Sequence, residues 1–246
     1  MRFYRTSIIT SVAARFGAAL LFSVTLLGLT AQCSSLTPKE RAVREVAVGR
    51  ALAARFAKAD GILKNAQATS YVSLVGQAVV GAAGQSDREF HFAILDTDKE
   101  IAAAGPGGYI LISKGYLKKL SSEAELAAVL AREIAHIALN HFDDSVLSSG
   151  SLIETSESGS EELYEMISEG DHPTAQVEEA DAAAAFYLAS LGYDPGAVVR
   201  IIGTGISQKN ASQADRKQKV QSVIQQNGLS GSQTNEGRFR ASTRGL

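Results

Sequence analysis

A mostly helical α+β fold, with a small sheet and one long internal helix, is what the sequence predicts. Three observations carry that reading. Thr37-Pro38-Lys39-Glu40 and Ser122-Glu123-Ala124-Glu125 are capping boxes, each opening an apolar-periodic stretch. Only the runs 90–95 and 109–112 have the β-branched and aromatic content of strands. The segments between them are rich in alanine, leucine and valine at helical spacing.

The 246 residues carry a formal net charge of −2, so no basic footprint points to nucleic acid. Residues 1–32 read as a signal segment of lipoprotein type. Arg2, Arg5 and Arg15 precede the apolar stretch 16–30, which is short for a membrane span. The stretch ends in Thr30-Ala31-Gln32-Cys33-Ser34-Ser35, which resembles a lipoprotein box with Cys33 as the lipidated first residue of the mature chain. Gln32 departs from the small residue expected there, which leaves cleavage after Ala31 as the other reading. Cys33 is the only cysteine, so no intramolecular disulfide can form. About 210 residues remain after removal of that segment, enough for one domain with its own core. The domain is expected over 37–226, followed by a flexible tail over 227–246 that is rich in Gly, Ser, Thr, Asn and Arg.

The elements follow in order. Pro38 at the first helical position starts a helix over about 38–59. A second helix is expected over 66–83, with Tyr71, Leu74, Val75 and Val79 on one face. The strands at 90–95 and 109–112 come next, the latter introduced by the turn Gly105-Pro106-Gly107-Gly108. His91 alternates with buried positions and reads as a sheet residue. The long helix begins at Ser122 and runs to about Phe142. Residues 143–172 hold nine Asp or Glu and no Lys or Arg, which predicts a solvated loop or a loosely held helix around 163–167. Helices then follow over 174–191, from Asp194-Pro195 to about Ile206, and over 213–225.

Residues 132–136 of the long helix read Arg-Glu-Ile-Ala-His. A helix sets residues four apart on one face, so positions 132 and 136 point the same way. With histidine at the first position this would be a zinc site whose glutamate deprotonates the metal-bound water. Arg132 has no lone pair to offer a metal. Residues 105–141, from Gly-Pro-Gly-Gly-Tyr-Ile through this helix, resemble the HtpX-like gluzincin metallopeptidases, and among them the periplasmic beta-barrel-assembly-enhancing proteases. Glu178-Glu179-Ala180-Asp181 and Leu191-Gly192-Tyr193-Asp194-Pro195 extend the resemblance, which covers about residues 60–205.

The resemblance implies that Glu133 stands at the general-base position, His136 at the second zinc-ligand position and Arg132 at the first. The third ligand, four residues before Asp181, falls on Val177. Glu178 is one residue and about 100° of helix rotation away. Asp181 matches the carboxylate that orients a zinc histidine, and the relatives' C-terminal His-Pro and Arg align with Gln213, Ala214 and Lys219. Catalytic zinc takes three protein ligands and a water. With two of three ligand positions replaced, no cofactor is expected. Zinc enters only on the alternative that other residues rebuild the site. His141, five residues after His136, reads as a surface residue, and His172 as able to swing inward from the acidic segment. Arg132 is expected to pair with Asp181, with Glu133 or Glu178 as second partner, so that a guanidinium supplies the charge of the metal.

The expected protein is therefore a secreted, lipid-anchored pseudopeptidase that binds envelope proteins or unfolded polypeptide. It would lie on the periplasmic side of the outer membrane, held by its N-terminal lipid, or be soluble in the periplasm. Binding would use the former substrate cleft and an exposed strand edge. An active metalloendopeptidase with substitute ligands is the alternative, and a purely structural envelope lipoprotein is the second.

Overall fold

The computed structural model describes residues 36–142, 146–147, 151–205 and 209–246; Cys33 and the signal segment lie outside them. Among the described residues the helices are α1 (Pro38–Asp60), α2 (Ala66–Ala82), α3 (Lys114–Lys119), α4 (Glu123–Ala138), α5 (Leu152–Glu169), α6 (Thr174–Ser190), α7 (Gly196–Ile201), α8 (Gln213–Gln226) and α9 (Glu236–Ser242). The strands are β1 (His91–Leu95), β2 (Ala102–Gly105) and β3 (Tyr109–Ser113). The mostly helical α+β architecture is the one the sequence predicts.

The sheet order is β1-β3-β2, with β1 parallel and β2 antiparallel to β3. Ala103 sits opposite Leu111 and Ala104 opposite Ile110. β2 has no β-branched or aromatic residue and was not expected as a strand. Pairing with β3 across the Gly105–Gly108 turn makes it one. Helix α1 crosses close to this turn, because a Cβ on Gly49 would lie 1.9 Å from the Pro106 carbonyl oxygen.

Helix α4 is the centre of the fold. All of its residues except Arg132 and Ala138 are buried, a pattern that belongs to a helix wrapped on every side. It packs on α6, α2, α7 and β2. Leu126, Leu130, Ile134 and Ile137 are among the fully buried large side chains. Each such burial stabilises by roughly 1.5–3 kcal/mol before the entropy of ordering is counted. The Ser122 side chain accepts from the Glu125 amide at the start of the helix. Its end comes earlier than expected, at Ala138 and not near Phe142. Asn140 adopts φ 55, a left-handed turn that asparagine tolerates, and the chain folds back.

Two expectations fail. The acidic segment contains an 18-residue helix, α5, opened by a capping box of Ser151 with Glu154 and closed by Gly170 in the left-handed conformation. Thr155, Gly159, Ser160, Leu163 and Ile167 form its buried stripe, and α5 lies along α1. The carboxylates that suggested a loop are the solvent face of this helix. A Cβ on Gly159 would meet the Val146 carbonyl oxygen at 2.4 Å, so glycine there permits the approach. The residues beyond 226 are likewise not a loose tail. Phe239 is buried, and α9 packs against α2 and α4. The helix opened by Pro195 is also shorter than expected, ending at Ile201 ahead of Gly203 at φ 104.

Candidate active site

Helices α4 and α6, strand β2 and helix α8 converge on a buried cavity. Ala102, Tyr116, Arg132, Glu133, His136 and Ile167 line it together with His172, Val177 and Arg216. Its volume is about 30 Å³, room for a water but not for a peptide. Arg132, Glu133 and His136 come from one face of α4, and Val177 faces them from α6. Glu178 does not join them. It sits on the outer side of α6 and takes an ion pair from Lys219 at 2.5 Å.

Asp181 is fully buried, and its partner is not the expected one. Arg216 reaches it from α8 with two bonds, Nε to Oδ2 at 2.8 Å and Nη2 to Oδ1 at 3.1 Å. The Arg216 side chain is only 4% exposed, so the pair is a closed, bidentate clamp between α6 and α8. Arg132 is left beside its neighbour Glu133, with Nε donating over 3.4 Å to Oε1. The expected Arg132–Asp181 ion pair is therefore replaced by Arg216–Asp181. The alignment with Lys219 pointed to the wrong cation, because Lys219 lies on the exposed side of α8. Arg216 was missed because nothing local distinguishes it from the lysines around it. The contact spans 35 residues of sequence.

The histidines also differ from expectation. The fold-back at Asn140 returns His141 to the end of α4, where its amide bonds the His136 carbonyl at 2.9 Å. His141 is half-buried and not a surface residue, its side chain only 6% exposed. Its Nδ1 is 3.1 Å from His136 Nδ1, and its Nε2 is 3.2 Å from Glu179 Oε2. A carboxylate only accepts, so Nε2 of His141 carries the proton and, in the neutral ring, Nδ1 accepts. His136 then donates from Nδ1 and keeps a bare Nε2, the form a metal-binding histidine needs, steadied by a carboxylate relayed through a second imidazole. His172 does face inward, its ring 5.3 Å from that of His136. His91 stays on β1, distant in sequence and sheet position from this group, against Tyr109.

Burial and charge set the protonation states. Burial, with His172, His141, Arg132 and Arg216 nearby, pushes His136 well below its ordinary range. Burial lowers His141, opposed by Glu179. Burial and Arg132 bring His172 down to about 4. His136, His141 and His172 are therefore neutral at pH 7. Burial raises the Glu133 carboxyl, and Arg132 only partly offsets this. For Arg132, burial works against the charge, but Tyr116, Glu133 and Asp181 outweigh it and the guanidinium stays charged.

This donor set does not fit zinc. His136 offers one nitrogen, but a guanidinium stands where the resemblance expects the first ligand and an isopropyl group where it expects the third, and Asp181 is spent on Arg216. Among the described residues, no three His, Cys, Asp or Glu side chains are arranged to share one metal ion. A divalent cation would also meet two guanidinium groups in a water-poor cavity, where like charges repel strongly. Nor is the expected open strand edge present beside the cavity. Ala103, Ala104 and Gly105 of β2 are buried, and the exposed edge residue, His91 on β1, is on the far side of the sheet.

The profile of peptidase family M48 matches residues 66–161, which span the sheet, α4 and the start of α5. The beta-barrel assembly-enhancing protease of Yersinia pestis is 33% identical over 73 residues, 30% of this chain and 15% of that protein. Its counterpart from Escherichia coli K12 is 30% identical over the same length. The mitochondrial metalloendopeptidase OMA1 of Schizosaccharomyces pombe is 32% identical over 78 residues, 32% of this chain and 23% of that one. The match thus spans about a seventh of the bacterial relatives' length. The profile holds Arg132, Glu133 and His136 but stops before Val177, Asp181 and Arg216, whose places rest on the geometry. The helix-borne Glu133 and His136, the small sheet over α4 and the profile match agree: residues 66–161 resemble a domain of peptidase family M48.

Proposed function

We propose that the protein is a pseudopeptidase, a metallopeptidase-family protein that acts by binding other proteins and does not cleave them. The observation that carries this reading is Arg132. Its guanidinium, 13% exposed, occupies the wall of the cavity where a first metal ligand would stand. The Arg216–Asp181 clamp supports it further, because it ties up the carboxylate that would orient a zinc histidine and locks α8 over the cavity. Binding then falls to the outer surface, since the cavity admits no polypeptide. Envelope proteins or unfolded chains are the partners, in a chaperone-like or regulatory role. Cys33 would anchor the protein by lipid to the periplasmic side of the outer membrane. Among the described residues no helix is long and apolar enough to cross a membrane.

The other reading, an active metalloendopeptidase, draws on the bare Nε2 of His136 and on the nearness of His141 and His172. Incubation of the purified protein with casein, with and without a chelator, separates the two. The proposal expects no cleavage in either case, and chelator-sensitive cleavage overturns it. Labelled palmitate should enter the wild type and not Cys33→Ser. A soluble, unlabelled periplasmic form would place cleavage after Ala31.

A further inference from the structure

We infer that a second pocket, on the α1–α5 side of the molecule, binds an organic cation: an ammonium or guanidinium group on an apolar stem. The pocket holds about 620 Å³ and is walled by Phe56, Asp60, Lys99, Glu100 and Tyr164, with Asp98 at its rim. It shares no lining residue with the small cavity beside Arg132, and the inference does not depend on whether that cavity binds metal.

Asp60 carries the argument. It is the last residue of α1, at the negative end of the helix dipole, where a carboxylate is disfavoured. Its side chain is nevertheless only 3% exposed. One oxygen, Oδ1, takes a bond from Lys99 Nζ at 2.9 Å. The other, Oδ2, is the one buried side-chain nitrogen or oxygen among the described residues without a hydrogen-bond partner. A buried carboxylate oxygen with no donor is costly, and native folds rarely keep one without a use. The lining's three carboxylates each already hold an ammonium, Asp60 that of Lys99, Asp98 that of Lys118 and Glu100 that of Lys119, so an incoming cation would exchange with a lysine on a site built for such a group.

The walls add the rest. Tyr164, partly exposed, offers an aromatic ring beside the carboxylate and is backed by the buried Phe56, with ring centroids 4.7 Å apart. An aromatic face next to a carboxylate suits a cation with an aliphatic stem, since the ring attracts the charge and covers the methylenes. Lys99 shows how such a group sits. It is a chain-borne ammonium already on Asp60, whose carboxylate favours its charge. Its side chain is two-thirds exposed, so an incoming cation can displace it from the carboxylate.

The cation has two sources, a free polyamine or a lysine or arginine side chain of a polypeptide. Titration calorimetry of the full chain with spermidine, with a lysine-bearing peptide and with the same peptide acetylated on lysine distinguishes them. Saturable binding of spermidine or of the unmodified peptide is expected, with acetylation abolishing the latter. Asp60→Asn should weaken binding by about tenfold or more, the effect of removing one partner of a buried charge pair. Lys99→Met, which removes the internal competitor, should tighten it, and Tyr164→Leu should weaken it. Glu162→Gln, on the exposed side of α5, should change nothing. If Asp60→Asn fails to fold, the opposite effects of Lys99→Met and Tyr164→Leu still decide. Absence of saturable binding in every arm overturns the inference. So does binding unchanged by Asp60→Asn, or Lys99→Met weakening binding as Asp60→Asn does.

Discussion

The two ends of α4 each bury a glutamate, and they treat it in opposite ways. Glu123, in the first turn, accepts from Tyr71 at 2.8 Å, Tyr193 at 2.6 Å and Asn235 at 3.0 Å, and from Arg238 through both Nε and Nη2. Burial raises its carboxyl, but these donors outweigh burial and hold it below the ordinary range. Glu133, in the third turn, has a single long contact with Arg132 and is raised. One helix thus carries a satisfied structural carboxylate and, ten residues on, a poorly satisfied one. The first end draws donors from α2, the loop before α7 and α9, and so closes the C-terminus onto the core. The second carries Glu133 and His136, the residue types proposed for a former catalytic centre, with few partners. Buried polar groups are normally paired, and where they are not, a chemical role or the remains of one is the usual reason.

That contrast can be broken by mutation. The largest effect is expected at the Arg216–Asp181 clamp. Asp181→Ala leaves a buried guanidinium unpaired and should destabilise by about 3–5 kcal/mol in chemical denaturation. Removal of both partners together should cost much less than the sum of the single changes. Additive losses would mean that the pair is not coupled.

Glu123→Gln comes next. It keeps the shape but removes the charge that Arg238 and the two tyrosines share, at a cost of roughly 2 kcal/mol. Limited proteolysis should then cut within 227–246, which the wild type protects. An unchanged cleavage pattern would show that α9 docks through Phe239 alone.

Acid should weaken the cavity end first. His172 has a folded pKa of about 4, below its ordinary value, so the unfolded chain binds its proton more readily. Stability is then complete above pH 6.5 and declines as pH falls from there toward 4, by on the order of 3 kcal/mol for this group. His172→Asn should flatten that part of the profile. An unaltered slope would contradict a neutral, buried His172. The smallest effect is expected from Glu133→Gln, which should lie within about 1 kcal/mol of wild type because a poorly paired carboxylate contributes little.

The same contrast separates what the sequence could and could not show. Helix α4 was legible because Ser122 caps it and apolar residues fill every side. The candidate ligand positions were legible because the family resemblance matches 132, 133, 136 and 177 to its site, and helical spacing then fixes where they point. Strand β2 was not, since Ala-Ala-Ala-Gly becomes a strand only through its partner β3. Helix α5 was hidden by its carboxylates, although Ser151 and Glu154 formed a readable capping box. The docking of 227–246 turns on Asn235, Arg238 and Phe239, three residues in a polar stretch. Glu123, the partner of the first two, lies more than a hundred positions away. Arg216 and the inward His141 were illegible for related reasons: one is a long-range choice among several cations, and the other follows from a single left-handed residue, Asn140.

The central claim is that Arg132 and Val177 remove the metal from an otherwise intact scaffold. Isothermal titration with zinc tests it on the wild type and on Arg132→His combined with Val177→Glu. The wild type should bind well under one zinc per chain. The double variant should bind stoichiometrically, because the introduced imidazole and carboxylate would then face the bare Nε2 of His136. Either single change should do far less, since catalytic zinc takes three protein ligands. Stoichiometric, chelator-reversible zinc on the wild type, or a double variant that binds no better, would contradict the account.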